Sequence, residues 1–498
     1  MSQVYATPGV YIEEKSAFPN SVVAAPTAIP AFVGYTEKAI RGIKSLNNVP
    51  TRISSLNEYH QYFGGAPSTT FEIAEDEKEV FKLTVDPATK YNLYFNLRLF
   101  FANGGSDCYI VSVGDYTSGG VKATALNDEE NEGGIKALLK EPEPTMLVIP
   151  DAVLLEEADC FSLQQAMLMH CGNDMKDRVA LLDVYDGHKD RTLADDDVVT
   201  KFREGVGNNF LQWGAAYYPW LHTTIITAEE VSYKNISNLD VLAKLMEEEV
   251  DELLKNLVIK EKRAELIKEE IKLLTDDSAD AVTLHQTLMA VSPMYKTVMN
   301  ETRAALNLMP ASVGMAGAIS MVDNNLGVFE SPANISLGSV IKPAVNITHT
   351  NQEDLNLPLN GKAINAIRTF PGRGVLVWGA RTLDGNSQDW RYLSVRRTVI
   401  MIEQSIKVAT EAFVFKPNVV NTWVTVKGMI VNFLTDVWRQ GALAGAVPED
   451  AFSVDIGLGV TMTPTDVLDG KMLITVKLAV TRPAEFIIIT IQQQMQKS

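Results

Sequence analysis

Residues 365–397 read NAIRTFPGRGVLVWGARTLDGNSQDWRYLSVRR. The central Pro371-Gly372-Arg373-Gly374 starts like a glycine-rich phosphate loop. Position 377, however, is Val377 where that loop needs a third glycine, and the residues around it carry a strand pattern instead of a helical one. A tight turn is the reading that remains. Beyond it the periodicity changes to that of helices. Val399, Ile402, Ile406, Ala409 and Phe413 fall on one apolar face, with Gln404, Lys407 and Glu411 on the opposite side. Trp423, Val426, Ile430, Phe433 and Val437 repeat the pattern. A hairpin over 452–458 and 472–480 comes next, and then Glu485-Phe486-Ile487-Ile488-Ile489-Thr490-Ile491.

That last run is apolar on both faces. A strand of this kind is buried on both sides, because a half-exposed one alternates apolar with polar. It sits at a chain end, where order is lost unless the segment is tied into a sheet. The other end matches it: Val4-Tyr5, a Pro8-Gly9 turn, then Val10-Tyr11-Ile12. Two apolar extended ends predict strands donated to other copies, and so a homo-oligomer.

Working upstream, residues 1–20 read as an extended arm, with Pro8 and Pro19 against helix. A strand is predicted over 28–35, and a short helix from Ser54-Ser55 to a stop at Gly64-Gly65. A helix over 89–102 ends at Asn103-Gly104-Gly105, before a strand at 108–113. Strands at 146–150 and 179–184, separated by a helix over 156–171, and a further helix from about Asp195 indicate an α/β layer. Between 243 and 274 apolar residues keep steps of three and four, which predicts one long helix. A break at Asp276-Asp277-Ser278 and a second helix over 284–308 make this a helical hairpin, 228–308. Its charge runs, such as Glu247-Glu248-Glu249, read as solvated faces.

With 498 residues, 46% hydrophobic and 21% charged, the chain is long enough for two or three domains with proper cores. It holds no run of 18 apolar residues and no basic-then-apolar leader, so neither a membrane span nor a secretory signal is expected. Cys108, Cys160 and Cys171 lack CxxC spacing and fit a reducing compartment. A net charge of −18 argues against nucleic-acid binding. The charge is uneven: residues 361–498 carry +4 and residues 1–360 carry −22.

Catalytic and cofactor motifs find no support. The six histidines form no metal-ligand pair, and neither GxxxxGK[ST] nor GxSxG occurs. Asp183, Asp186 and Asp190 lack the EF-hand spacing. Asp195-Asp196-Asp197 fits acids favoured at a helix start. A minor alternative is an α/β hydrolase built on Asp183, Asp186 and His188, motivated only by clustering in one loop. Trp378, Trp390, Trp423 and Trp438 read as core, and Arg396-Arg397 as makers of local salt bridges.

With these motifs in order, the chain resembles the contractile tail sheath family, which includes phage tail sheaths, R-type pyocin sheaths and those of extracellular contractile injection systems. The likeness covers nearly the whole chain. It rests on TPGVYIEE (7–14), PTAIPAFVGYTEKA (26–39), FFANGGSDCYIVSVG (100–114), AAYYPWL (215–221), NAIRTFPGRGVLVWGARTL (365–383), WRYLSVRRT (390–398), WRQGALAGA (438–446) and RPAEFIIITI (482–491). The AIPAFVGYTEKA form is most similar to the injection-system branch, with a phage virion sheath as the alternative. The 228–308 insertion departs from the family pattern.

The resemblance implies a discontinuous α/β fold. Residues 21–115 and 361–481 would form an inner core domain and 116–360 an inserted outer domain. Residues 1–20 and 482–498 would be arms that exchange strands through Val4, Tyr5, Val10, Tyr11, Ile12, Phe486, Ile487, Ile488, Ile489 and Ile491. It implies a structural subunit without cofactor or metal. The subunit would assemble in the bacterial cytoplasm, in a tail-like particle whose release is left open, and would polymerise around an inner tube and contract to drive it out. Partners would be the inner tube, baseplate and terminal cap proteins, with co-assembly of paralogous sheaths left open. A core helix would touch the tube through polar groups, for which Gln404, Lys407 and Glu411 are the candidates.

Overall fold

The computed structural model describes residues 22–74, 81–192, 196–276 and 280–488. The chain divides into two compact units, 26–400 with 482–498, and 401–481 with 1–25.

The first unit is built on a nine-stranded sheet. Its strands are β1 (Pro30–Thr36), β2 (Thr51–Ile53), β3 (Cys108–Asp115), β4 (Met146–Val148), β5 (Val179–Asp183), β6 (Gly214–Tyr218), β7 (Ile335–Ser336), β8 (Asn365–Phe370) and β9 (Gly374–Trp378). Their order is β7-β9-β8-β6-β5-β4-β1-β3-β2. The six from β8 to β3 run parallel, and the edges β7, β9 and β2 pair antiparallel. Every residue of β1, β4, β5 and β6 is buried, which explains why these strands read as continuous apolar runs.

Helices α1 (Leu93–Ala102), α2 (Glu157–Met169) and α3 (Val198–Gly205) follow strands in sequence. Asp197 caps α3, its carboxylate accepting from the Thr200 N–H at 3.0 Å, as the acidic run predicts. Helix α8 (Ser312–Asn325) packs on α1. Gly317 allows this, since a Cβ there would collide with the Phe100 carbonyl oxygen. The 365–397 stretch contains the β8–β9 hairpin, with Phe370 paired to Gly374, and Gly372 and Gly374 at φ of 74° and 79°. Such angles favour glycine, so PGRG is a turn.

Two expectations change. The insertion is four helices: α4 (Leu239–Lys255), α5 (Glu261–Lys272), α6 (Ala281–Val291) and α7 (Pro293–Leu306). The apolar seam does run through Met246, Val250, Ala264, Ile267 and Ile271, all buried. The helix nevertheless breaks at Leu257, which adopts φ 55° and is exposed, so α5 folds back on α4. Pro293 divides the second half, and Glu249 holds that junction by accepting from Ser292 Oγ at 2.7 Å and the Met294 N–H at 2.8 Å. Glu249 is therefore a cap and not a solvated charge.

The second change concerns boundaries. Segments 21–115, 116–360 and 361–481 each give strands to the one sheet, so the cuts at 115 and 360 do not separate compact bodies.

The second unit contains most of α10 (Leu393–Glu411), all of α11 (Val420–Arg439) and a two-stranded antiparallel sheet of β10 (Phe452–Asp455) and β11 (Thr475–Leu478). The α11 face predicted from Trp423, Val426, Ile430, Phe433 and Val437 is buried, and α11 packs on β10. Each strand has only one neighbour among the described residues, leaving two free edges. A free edge presents unpaired N–H and C=O groups, a template for another strand.

Candidate functional site: the root of the C-terminal arm

The arm leaves the first unit at Glu485. Arg381 grips this carboxylate with two donors, Nε to Oε1 at 3.0 Å and a terminal nitrogen to Oε2 at 2.5 Å. Asn356, at the end of α9 (His349–Asn356), donates to Oε1 at 2.7 Å, and the Tyr392 hydroxyl to Oε2 at 3.0 Å. Burial alone would raise the Glu485 pKa; the bonds from Arg381, Asn356 and Tyr392 outweigh it and hold the carboxyl below its ordinary value. Arg381 has a side chain only 2% exposed and also donates to the Asn356 carbonyl at 3.1 Å.

The grip is tied into the sheet. The Arg381 N–H donates to Asn365 Oδ1 at 2.7 Å, and the Asn365 amide donates to the Arg381 carbonyl and, at 3.2 Å, to the Ala216 carbonyl of β6. A bidentate carboxylate–guanidinium pair fixes direction as well as position. The arm therefore starts from a fixed point.

Past Glu485 the environment reverses. Phe486, Ile487 and Ile488 are 65%, 80% and 89% exposed, and residues 482–488 form no strand within the chain. Three adjacent large apolar side chains face water here, a contiguous run unlike the single exposed ones common on protein surfaces. The other arm residues named from the sequence, Val4, Tyr5, Val10, Tyr11, Ile12, Ile489 and Ile491, lie outside the described residues.

Gln404, Lys407 and Glu411 share one face of α10, the first half-buried and the others exposed. Their surroundings are less polar than the sequence suggests: Val408, Val414, Phe415, Val419, Val420 and Val424 are also exposed.

The hydrolase reading fails on geometry. Asp183, at the end of β5, accepts from the Ala311 and Ser312 N–H groups at 2.8 Å each and from Ser312 Oγ, capping α8. Asp151, after β4, does the same at α1, accepting from the Asn92 N–H at 2.6 Å and the Tyr35 N–H at 3.2 Å. Open α/β sheets bind ligands beyond their strand ends; at these two strands the space holds helix caps. Burial raises both carboxyls to about 6, against the hydrogen bonds that favour the charged form. Asp186 pairs with Lys189, and the His188 ring packs 5.0 Å from Trp220.

The Arg396-Arg397 pair is structural, but through distant partners instead of local ones. Arg397 makes a buried pair with Asp323, with bonds of 2.8 and 2.5 Å, and Arg396 sits over the rings of Trp213 and Trp390 at 4.1 and 4.2 Å.

Residues 386–494, which hold both the anchored Glu485 and the exposed arm, match the family described as phage tail sheath C-terminal domain. Over these residues the chain carries a phage tail sheath C-terminal domain. Its whole length is similar to solved sheath subunits. The anti-feeding prophage (AFP) helical sheath in the contracted state is 27% identical, covering 99% of this chain and 100% of that one, with a TM-score of 0.60. A chain of the AFP baseplate is 28% identical, with coverages of 99% and 100% and a TM-score of 0.58. The PVC sheath complex of an extracellular contractile injection system, also contracted, is 26% identical, with 99% of each chain covered and a TM-score of 0.59. No match was found among curated protein sequences. The sheath protein is thus a structural subunit of the contractile injection-system kind, with the α/β fold that those subunits share. No helix among its described residues is long and apolar enough to cross a membrane.

Proposed function

We propose that the sheath protein polymerises helically around an inner tube in a metastable extended state and contracts to drive that tube through a target envelope. The observation that carries this is the change at one peptide bond, from the clamped Glu485 to the exposed Phe486-Ile487-Ile488. A segment held at its root and apolar along its length is built to add to another chain's sheet. The free edges of β10 and β11 in a neighbouring copy are the receptors we propose. Backbone hydrogen bonds supply the affinity and alternate side chains the register. A heterologous contact of this kind that does not close generates a helix of subunits.

In this reading the N-terminal arm, including Val4, Tyr5, Val10, Tyr11 and Ile12, makes the second link. The polar face of α10 touches the tube through Gln404, Lys407 and Glu411. Baseplate and terminal cap proteins bound the polymer, which assembles in the cytoplasm and leaves in the finished particle. The subunit carries out no catalysis: repacking between two arrangements of the same interfaces releases the stored energy.

The test is negative-stain electron microscopy of the purified protein and of a chain lacking 483–498. Full-length tubes together with a folded, non-assembling truncation are expected. Normal tubes from the truncation would remove the arm from the mechanism. If neither forms tubes alone, co-expression with the tube protein repeats the comparison.

A further inference from the structure

The end of α2 holds a buried titratable group that neither the arm root nor the helix caps use. Helix α2 runs on into a single π turn, His170–Met175, which closes at Lys176 with φ 58°. Such wide turns are rare and concentrate at functional positions. This one is tightly seated: a Cβ on Gly172 would lie 2.7 Å from the Phe210 and Trp213 rings.

His170 is 1% exposed, and neither of its ring nitrogens has a hydrogen-bond partner among the described residues. A neutral imidazole carries one donor and one acceptor, whereas a protonated one carries two donors and a charge. Burial without a partner therefore opposes the proton more than it opposes the neutral ring. Four elements pack around the turn: α2, β5, the 3₁₀ segment Ile135–Lys140 and the short turn Leu211–Trp213. Two of them bring positive charge to the ring, Arg178 just before β5 and Lys136 on the 3₁₀ segment. Asp174, on the π turn itself, pulls the other way, but it lies 3.9 Å from Lys136. The remaining charges are engaged or remote. Asp177 pairs with Arg178 and Lys140 with Glu132; Asp183 ends β5, Glu157 and Asp159 begin α2, and Leu211–Trp213 carries no charge. Burial first, and Arg178 next, push the ring from its ordinary 6.5 down to about 3.

We infer that the π turn is a proton-operated latch: a neutral His170 keeps it closed, and a protonated one is accommodated only when it opens. Trp213, against which the turn packs, also carries Arg396 of α10 at 4.1 Å, so opening loosens the seat of α10. Opening rehydrates the ring and returns it to its ordinary range. The closed state is therefore fully favoured above about pH 6.5 and loses its advantage as pH falls below that value. From pH 7 to pH 5 the open population should rise about 25-fold. Asp183 responds in the opposite sense, since its raised carboxyl makes the cap on α8 stronger in acid.

The experiment is hydrogen exchange of the full-length protein at pH 7, 6 and 5, read by mass spectrometry and divided by the intrinsic exchange rate at each pH. Protection over 168–178 should fall about 25-fold across this range, while protection at the start of α8 should not fall. His170→Phe and His170→Gln replace the ring by groups that do not titrate, and either variant that folds should remove the pH dependence of 168–178. Protection that stays level from pH 7 to pH 5 overturns the latch. A fall that persists in the variants assigns the acid response to another group and overturns it as well. A parallel fall at α8 would mean general acid loosening in place of a local latch. The readout is taken within one chain and is the same whatever that chain assembles into.

Discussion

The two compact units treat their polar and apolar groups in opposite ways. In 26–400 with the arm root, charges are buried and paired: Arg397 with Asp323, Arg381 with Glu485, Arg178 with Asp177. The sheet edges there are finished by short antiparallel strands. In 401–481 a two-stranded sheet keeps both edges free among the described residues, and Val414, Phe415, Val419, Val420 and Val424 face water. Apart from the exposed arm, the first unit buries its charges in pairs within one chain, whereas the second leaves strand edges and apolar side chains open among the described residues. A sheath subunit needs both, a body that survives rearrangement and a surface whose partners can change. The comparison makes a testable division: changes in the first unit should cost folding stability, and changes in the second should cost assembly.

The largest folding effect is expected at Arg397. Its guanidinium reaches Asp323 and the Thr27 carbonyl, and both charged side chains are almost wholly buried. Removing one partner leaves the other charge buried and unpaired, which costs about 3–5 kcal/mol. Arg397→Met should lower the urea midpoint of the first unit accordingly. A loss under about 1 kcal/mol would mean that this unit tolerates an unpaired buried charge, and the division would fail on its stronger side.

The next effect depends on pH. The Asp183 carboxyl is raised from 3.8 to about 6 by burial. A raised carboxyl means that the folded state holds the proton more tightly than the unfolded state. The stabilisation is complete below about pH 4 and is lost as pH rises through about 6. Asp183→Asn stays neutral throughout, so its stability relative to the native chain should improve from pH 4 to pH 7. The gain is at most roughly 3 kcal/mol, from 1.36 kcal/mol per unit. A difference that stays flat over that range would show that the cap on α8 keeps its charge at no cost.

Much of this organisation is legible in the sequence, and the misses have definite causes. The parallel strands are readable because full burial removes alternation, as in Val179-Ala180-Leu181-Leu182. The α11 face is readable because its apolar residues keep helical steps. The break at Leu257 is not, because an apolar residue with positive φ preserves the seam's spacing while reversing the chain. Strands β2 and β7, three and two residues long, are too short for any period to register. The grip on Glu485 is hidden for another reason: Arg381 is 104 residues away, and a side-chain pair leaves no local signal. Both residues lie inside stretches quoted for the sheath resemblance, GARTL and RPAEF, so the motifs marked the site without revealing its chemistry.

Arg381 belongs to the first unit but holds the root of the exposed arm, so its loss should show both effects at moderate size. Arg381→Leu removes the charged donors from Glu485, about 1–3 kcal/mol for a charge-assisted pair. The arm root can then turn to water, which limits the loss. Chymotrypsin cleavage after Phe486, already exposed, should become faster in the variant, and its tubes shorter or less regular. An unchanged cleavage rate would show that Asn356 and Tyr392 hold the root without the arginine.

The smallest folding effect is expected on α10, and it sharpens the division most. Lys407 and Glu411 are exposed and share a face with Gln404. Reversing either charge should leave stability within about 0.5 kcal/mol, as for surface changes away from special features. If this face meets the tube through its charges, Lys407→Glu should reduce co-sedimentation with tube protein at low salt. The reduction should shrink as salt rises, because a Debye length of about 10 Å at 0.1 M screens exposed pairs. A loss independent of salt would point to the neighbouring Val408 instead, since apolar burial is not screened. No loss at any salt would place the tube contact on another surface of the subunit, and the exposed valines around residues 414–424 would be the next face to alter.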